Sequence, residues 1–383
     1  MATWFRSTPS GVPITSIGVT SMNFRGCGIS TLAVSLVLLV AACGGAVAPA
    51  VPSPTSSVAS ASRGVPNSAP AGAIPTIPSG SPVKITTATG VPSGVFTPVW
   101  IALDNGIFTK YGLDATLVNI EGVKQAQAII AGDIQIGNVG GAEILDARAG
   151  GASLVGIRES TASPVFELHA APAVKHVTDL RSKTVAVTQT GSSTDISARV
   201  LLKNHGLEPD QDVKLLNSSN MPAILAALVS HRVQGGVMSP PTTIKADNAG
   251  FPKLASTVDE HVALQQNLTV AMKPYADAHP DVVYAYLKAV LEATAMFFNQ
   301  PDLAAAAIAK HTQSDQATAK AAYDAFLPAM EVEGLVQEQG FKTVQDFGAN
   351  PKARGVTLAG AHDDHFLQQL QASGFIDQLH VKQ

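Results

Sequence analysis

Cysteine is almost absent from this chain. Its 383 residues contain two, Cys27 and Cys43, both ahead of the part that can fold. A disulfide framework, a cysteine-ligated zinc site and a cysteine nucleophile are thereby excluded from the body. Charge is sparse: 25 Lys and Arg stand against 29 Asp and Glu, a formal net charge of −4. The longest basic grouping, Lys175-His176 with Arg181 and Lys183, reads as a solvated loop. Nucleic acid, which needs clustered cations, is not an expected partner. There is no Gly-x-Ser-x-Gly elbow, no Gly-Lys-Ser/Thr phosphate loop and no dinucleotide fingerprint, so no catalytic centre and no cofactor are expected. His362-Asp363-Asp364-His365 puts two imidazoles at i, i+3, but its carboxylates diverge and no third ligand stands nearby. It reads as a solvated helix start, not a metal site.

The apolar run Ile29–Ala42 is short of the ~20 residues that span a bilayer. Preceded by Arg6 and Arg25 and ended by small residues, it has the form of a secretory signal. Met22 offers an alternative start with a more usual charged region. The run ends in Val40-Ala41-Ala42-Cys43-Gly44, which resembles a bacterial lipobox. That resemblance implies cleavage before Cys43 and lipidation of its thiol. Residues 43–81 are rich in Ala, Pro, Ser, Gly and Val and nearly free of charge. They bury too little to offset their ordering entropy and read as a flexible tether.

Order is expected from Pro82. Strands are read at Val83–Ala88, Asp114–Ile120, Ile134–Val139, Ser153–Ile157 and Val165–Ala171, with helices Pro98–Asn105, Val123–Ala131 and Ala142–Ala149 between them. Gly106, Gly132 and Gly150 close those helices. The alternation restarts with a strand at Thr184–Thr188, a helix at Asp195–Asn204, a strand at Val213–Leu216, a helix at Met221–Ser230 and a strand at Gly236–Met238. A helix at Pro241–Asn248 and a strand at Leu264–Met272 follow. Strand–helix alternation with short loops implies parallel sheets, here in two α/β lobes. Beyond Pro274 only helices are read, at Asp281–Phe298, Leu303–His311 and Asp315–Leu327, and they must pack on the lobes.

Phe96-Thr97-Pro98-Val99-Trp100-Ile101-Ala102, Gly106-Ile107-Phe108 and Lys110-Tyr111-Gly112-Leu113 resemble the start of ABC transporter solute-binding proteins of the nitrate/sulfonate/taurine type, a group that includes binders of thiamine-pyrimidine precursors. Ala131-Gly132-Asp133-Ile134, Gly191-Ser192-Ser193-Thr194-Asp195, Ser239-Pro240-Pro241 and His279-Pro280-Asp281-Val282-Val283 follow in the same order. The resemblance implies an α/β, two-lobed periplasmic-binding-protein fold (type II-like) with a helical C-terminal extension on the lobes. It places lobe 1 at 82–173, lobe 2 at 174–267, and the return crossover and helical tail at 268–383, with crossovers near Ala171–Lys175 and Asn267–Lys273. It implies a monomer, exported and lipid-anchored on the outer face of the cytoplasmic membrane, that hands a small-molecule ligand to an ABC transporter permease. A pyrimidine-synthesis-like enzyme on the same fold and a sensor lipoprotein without transport are the alternatives. The former uses a histidine and a cysteine-rich stretch, and the body here has no cysteine.

Ligands of open α/β sheets lie beyond the strand carboxyl ends, at helix N-termini. Four such loops supply candidates. The best is Thr188–Thr194, with Gly191, Ser192, Ser193 and Thr194, where one hydroxyl caps the helix and another can face a ligand. Gly140 and Gly141 admit a ligand to the backbone. Glu143 beside them either faces the helix dipole alone or receives an N–H or ammonium donor. Thr89 and Thr97 flank the loop after the first strand, and Trp100 either stacks on a flat ligand or packs into the lobe. Ser239, before Pro240-Pro241, is the counterpart in lobe 2.

Overall fold

The computed structural model describes residues 73–90, 92–161 and 163–381. The apolar run and Cys43 lie outside the described residues, as does most of the expected tether. Two five-stranded sheets organise the body. The first is built from β1 (Val83–Thr89), β2 (Leu113–Asn119), β3 (Ile136–Val139) and β4 (Leu154–Glu159). The second is built from β5 (Glu167–Ala170), β6 (Thr184–Val187), β7 (Lys214–Asn217), β8 (Gly235–Met238) and β9 (Lys253–Ser256). The chain then returns with β10 (Leu268–Met272) to the first sheet. The orders are β2-β1-β3-β10-β4 and β7-β6-β8-β5-β9.

The sheets are mixed, where strand–helix alternation predicts parallel ones. β10 runs antiparallel to β3 and β4, and β5 antiparallel to β8 and β9. Each is the strand that has just arrived from the other lobe, and it enters from the opposite end. This moves the boundaries as well. β5 pairs in the second sheet, so the first crossover is 160–166 and not Ala171–Lys175. The return is 257–267, because 268–272 is already β10, inside the first sheet.

Helices of the first lobe are α1 (Thr97–Asp104), α2 (Ile107–Lys110), α3 (Gly122–Ala131) and α4 (Gly141–Ala149). The second lobe has α5 (Ser193–Asn204), α6 (Met221–Val229) and α7 (Thr242–Asn248). The tail continues with α8 (Lys273–Ala278), α9 (Pro280–Asn299), α10 (Pro301–Thr312), α11 (Gln316–Phe326), α12 (Glu338–Phe347), α13 (Leu358–Ala361) and α14 (His365–Ala372). Helix α9 is buried along most of its length, and packs Tyr286, Leu287, Val290 and Phe297 against the first lobe. The Tyr286 hydroxyl meets Thr87 Oγ1 at 2.9 Å, so the one polar group of that ring is satisfied in the core. Among the described residues no helix is long and apolar enough to cross a membrane.

Ordered packing begins before Pro82. Ile74 and Ile77, inside the expected tether, are half-buried against the first-lobe core, with Ile77 close against Gly112. Apolar residues in a Pro/Ser-rich stretch still lower their free energy by covering an apolar face.

The tail does more than cover lobe 1. Gly334 accepts from the Glu159 N–H at 2.7 Å, and the Gln337 N–H donates to Glu159 Oε2 at 2.9 Å. Arg158, wholly buried, donates to Glu331 O at 2.7 Å, Ser160 Oγ at 3.0 Å and Thr294 Oγ1 at 3.3 Å. Helix α12 touches both α4 and α5, one from each lobe. His362, expected in a solvated helix start, is instead buried against Gly156, and burial pushes its imidazole down to about 4. A chain segment that must seal the first sheet carries this histidine inward with it.

Candidate functional site

The carboxyl ends of the central strands of both sheets meet at one seam, and a cavity of about 90 Å³ lies there. From the first lobe it is lined by Gly90, Ser93, Val95 and Phe96 after β1, by Glu121 and Gly122 after β2, and by Asn138, Gly140 and Glu143 around the β3–α4 turn. The second lobe contributes Thr188, Ser192, Ser193 and Thr194 after β6, and Met221 at the start of α6. The crossovers close it with Phe166, Gln266 and Asn267.

The lobes are held together over this cavity. Ser93 and Ser239 share a hydrogen bond of 2.9 Å, and the Gly94 N–H donates to Pro240 O at 3.3 Å. Ser193 Oγ donates to Gln266 O at 3.2 Å. The crossovers brace each other: the Val165 N–H donates to Gln266 Oε1 at 2.9 Å, and the Ser160 N–H to Asn267 O at 3.0 Å. A two-lobed hinge with its inter-lobe bonds made is in the closed arrangement.

The expected turns do converge. Gly140, Glu143, Ser192, Ser193 and Thr194 all line the cavity. Their hydroxyls have protein partners, however. Ser192 Oγ caps α5 by accepting from the Asp195 N–H, and Thr194 Oγ1 accepts from the Thr188 N–H at 2.9 Å. The Gly191 N–H is taken by Asp195 Oδ2 at 2.9 Å, which turns Gly191 away from the lining. Gly141 is one residue too far into α4 and packs on Gln265. Thr89 and Thr97 also stand off the cavity: Thr89 bonds Asn119 Oδ1 at 2.9 Å and Thr97 Oγ1 bonds Gly94 O at 2.6 Å. Trp100 is not a stacking platform for a ligand. It is 2% exposed and lies parallel to His311 at 4.9 Å between centroids, inside the lobe. Ser239 sits one layer behind the lining as part of the inter-lobe bond.

Glu143 is the unusual member. It is 6% exposed, and its Oε2 has no hydrogen-bond partner. A Cβ at Gly122 would run into its Oε1, and one at Gly140 would lie 2.9 Å from its Oε2, so two glycines make room for this carboxyl. Burial pushes Glu143 up to about 7, with Asp146 and Glu121 adding to the rise. The N–H groups of Glu143 itself and Gly140 pull the other way. Glu121, which sequence reasoning passed over, is also raised to about 7 by burial, against the pull of the Gly122 N–H, and its Oε1 is likewise buried without a partner. The signal for Glu121 was available: it stands between β2 and α3, at the same kind of turn as the chosen loops.

Glu167, His169 and Asp247 form the other cluster of ligand-type side chains found among the described residues. His169 has both ring nitrogens occupied, by Phe251 O and Glu167 Oε2 at 2.9 Å each, and Lys253 stands 3.8 Å from Glu167. The cluster pins β5 to its neighbours as a set of ion pairs and leaves no imidazole nitrogen for a metal.

Two α/β lobes, two crossovers and a cavity at the seam define the periplasmic-binding-protein fold. The family described as NMT1/THI5 like matches residues 93–304, and the chain belongs to it. The taurine-binding periplasmic protein of Escherichia coli is 26% identical over 226 residues, 58% of this chain and 68% of that protein. A Brucella abortus protein described as a binding protein is 30% identical over 162 residues, 42% of this chain; the chain spans about half, 49%, of its length. In structure, the chain resembles the alkanesulfonate-binding protein SsuA of Xanthomonas axonopodis pv. citri with a TM-score of 0.61 at 19% identity, covering 70% of this chain and 92% of that one. The periplasmic nitrate-binding protein NrtA of Synechocystis gives 0.62 at 12%, covering 79% and 91%. The resemblance to solute-binding proteins of the nitrate/sulfonate/taurine type holds.

Proposed function

We propose that this chain is an exported solute-binding lipoprotein of an ABC importer, which encloses one small molecule between its lobes and presents it to a permease. The observation that carries the reading is the cavity itself. It is built from strand-to-helix turns of both lobes and is roofed by bonds between them. Neither lobe alone surrounds a solute, so binding and closure are one event, and affinity reflects how much more strongly the closed form holds the solute than the open one. The relatives are binding proteins, which favours capture over catalysis. Anchoring at Cys43 follows from the lipobox-like Val40-Ala41-Ala42-Cys43.

Mass spectrometry of the gently purified protein tests the capture. A small molecule is expected to leave on denaturation, in near-stoichiometric amount, and its return to stripped protein should raise Tm. Stripped protein indifferent to everything its own purification releases contradicts the reading. The anchor is tested separately: Cys43→Ser should move the protein from the membrane to the soluble fraction. Unchanged membrane retention removes the anchor from the proposal and leaves capture intact.

A further inference from the structure

The charge around the cavity says more than that it holds a solute. We propose that its ligand carries a protonated nitrogen with N–H donors, as in an amine or amidine, held by Glu121 and Glu143, with its apolar part against Phe96 and Phe166. This rests on the solute-binding reading and narrows it.

Two buried carboxyl oxygens on one cavity wall, Glu121 Oε1 and Glu143 Oε2, have no hydrogen-bond partner. Buried polar atoms are rarely left so, because the lost hydrogen bonds to water are not replaced. Both oxygens are acceptors when ionised, so what is missing is a donor. The protein supplies no cation: none of the residues lining the cavity is Lys, Arg or His. The carboxyl of Glu143 is also held in place, packed against Gly122 and Gly140. It is therefore set in advance for a partner.

The same geometry disfavours a simple oxyanion. An anion at a strand-to-helix turn needs free N–H groups. At the start of α4 the N–H groups of Gly140 and Glu143 are turned toward the Glu143 carboxyl, though neither satisfies its Oε2. At the start of α5 the Gly191 N–H is bound to Asp195 and the Asp195 N–H to Ser192, which leaves those of Ser193 and Thr194 as the first-turn donors. A nitrate or sulfonate placed here would meet two acidic side chains, with Asp146 behind them on α4. A cation reverses each of these effects. It supplies the donors and draws both carboxyls into their ionised form, and Phe96 and Phe166 add ring surface on which such a ligand gains further.

The test uses the stripped full chain and five named probes: ethanolamine, acetamidine, 4-aminopyrimidine, methanesulfonate and nitrate. Thermal shift and titration calorimetry are expected to show binding by one or more of the first three and none by the two anions. Glu143→Gln should weaken the bound probe roughly 10- to 100-fold, the loss of one charge-assisted hydrogen bond, with Glu121→Gln giving a loss of the same sign. Binding at pH 7 should release protons, seen as a buffer-dependent heat. Stabilisation by methanesulfonate or nitrate alone, or tighter binding in Glu143→Gln, overturns the amine assignment and leaves solute capture standing. A protein that answers to none of the five and releases no small molecule of its own overturns both.

Discussion

Glu143 and Glu121 make the unliganded protein sensitive to pH, with a defined sign. Burial holds each near 7 in the folded chain, above the ordinary value of 4.5, so the folded state binds extra protons between those limits. Their contribution is fully present below about 4.5 and is lost as pH rises through about 7. Glu143→Gln removes that loss. In urea denaturation of stripped protein, the variant's stability relative to the parent should increase between pH 5 and pH 8, by up to about 3 kcal/mol. A difference that stays flat with pH would mean Glu143 is ionised and paired. Glu159 works in the same direction, since burial raises it to about 8 against the pull of the Gln337 N–H. At this scale the sequence was only partly legible. Glu143 could be picked out because a carboxylate two residues after a Gly-Gly pair at a strand end is unusual. Trp100 could not be placed, because its packing partner His311 lies in a helix of the tail and nothing local points to it.

At the scale of elements, the inter-lobe contacts are separable from the cavity. Ser239 does not line the cavity, yet it joins Ser93 across the seam and also donates to Met221 Sδ at 3.2 Å. Ser239→Ala removes the Met221 bond from both forms but the Ser93 bond from the closed form alone, which should cost that form about 0.5–1.5 kcal/mol and weaken ligand binding roughly 2- to 12-fold. Titration calorimetry on the released native ligand checks this; an unchanged Kd would show that the bond contributes nothing to closure. Helix starts were the readable part of these elements. Ser192 and Asn220 cap α5 and α6, and Pro98 and Pro222 stand in the first turns of α1 and α6, so these turns announce themselves. Strand partners were not readable. β5 is a four-residue strand like its neighbours, and neither its composition nor its place in the order shows that it pairs with β8 and β9. That one pairing displaced the expected first crossover.

At the scale of the whole molecule, the two-lobed plan was visible in the double run of strand–helix alternation, while the reach of the ends was not. Ile74 and Ile77 cover apolar surface next to Gly112 and the tail helices. A chain beginning at Pro82 should therefore be less stable than one beginning at Ala73, by about 1–3 kcal/mol in urea denaturation; equal stabilities would show that the docking is incidental. The strand order has a further consequence, for assembly in time. The second sheet is drawn from one continuous stretch, β5 to β9, whereas the first needs β10, which sits between β3 and β4 and arrives only after the entire second lobe. A chain threading out of a pore from its N-terminus can thus finish its second lobe first, while β1–β4 wait with a gap between β3 and β4. Pulsed hydrogen exchange during refolding should find amides of β6 and β8 protected before those of β3 and β4, and a molecule caught midway would be half a clamp.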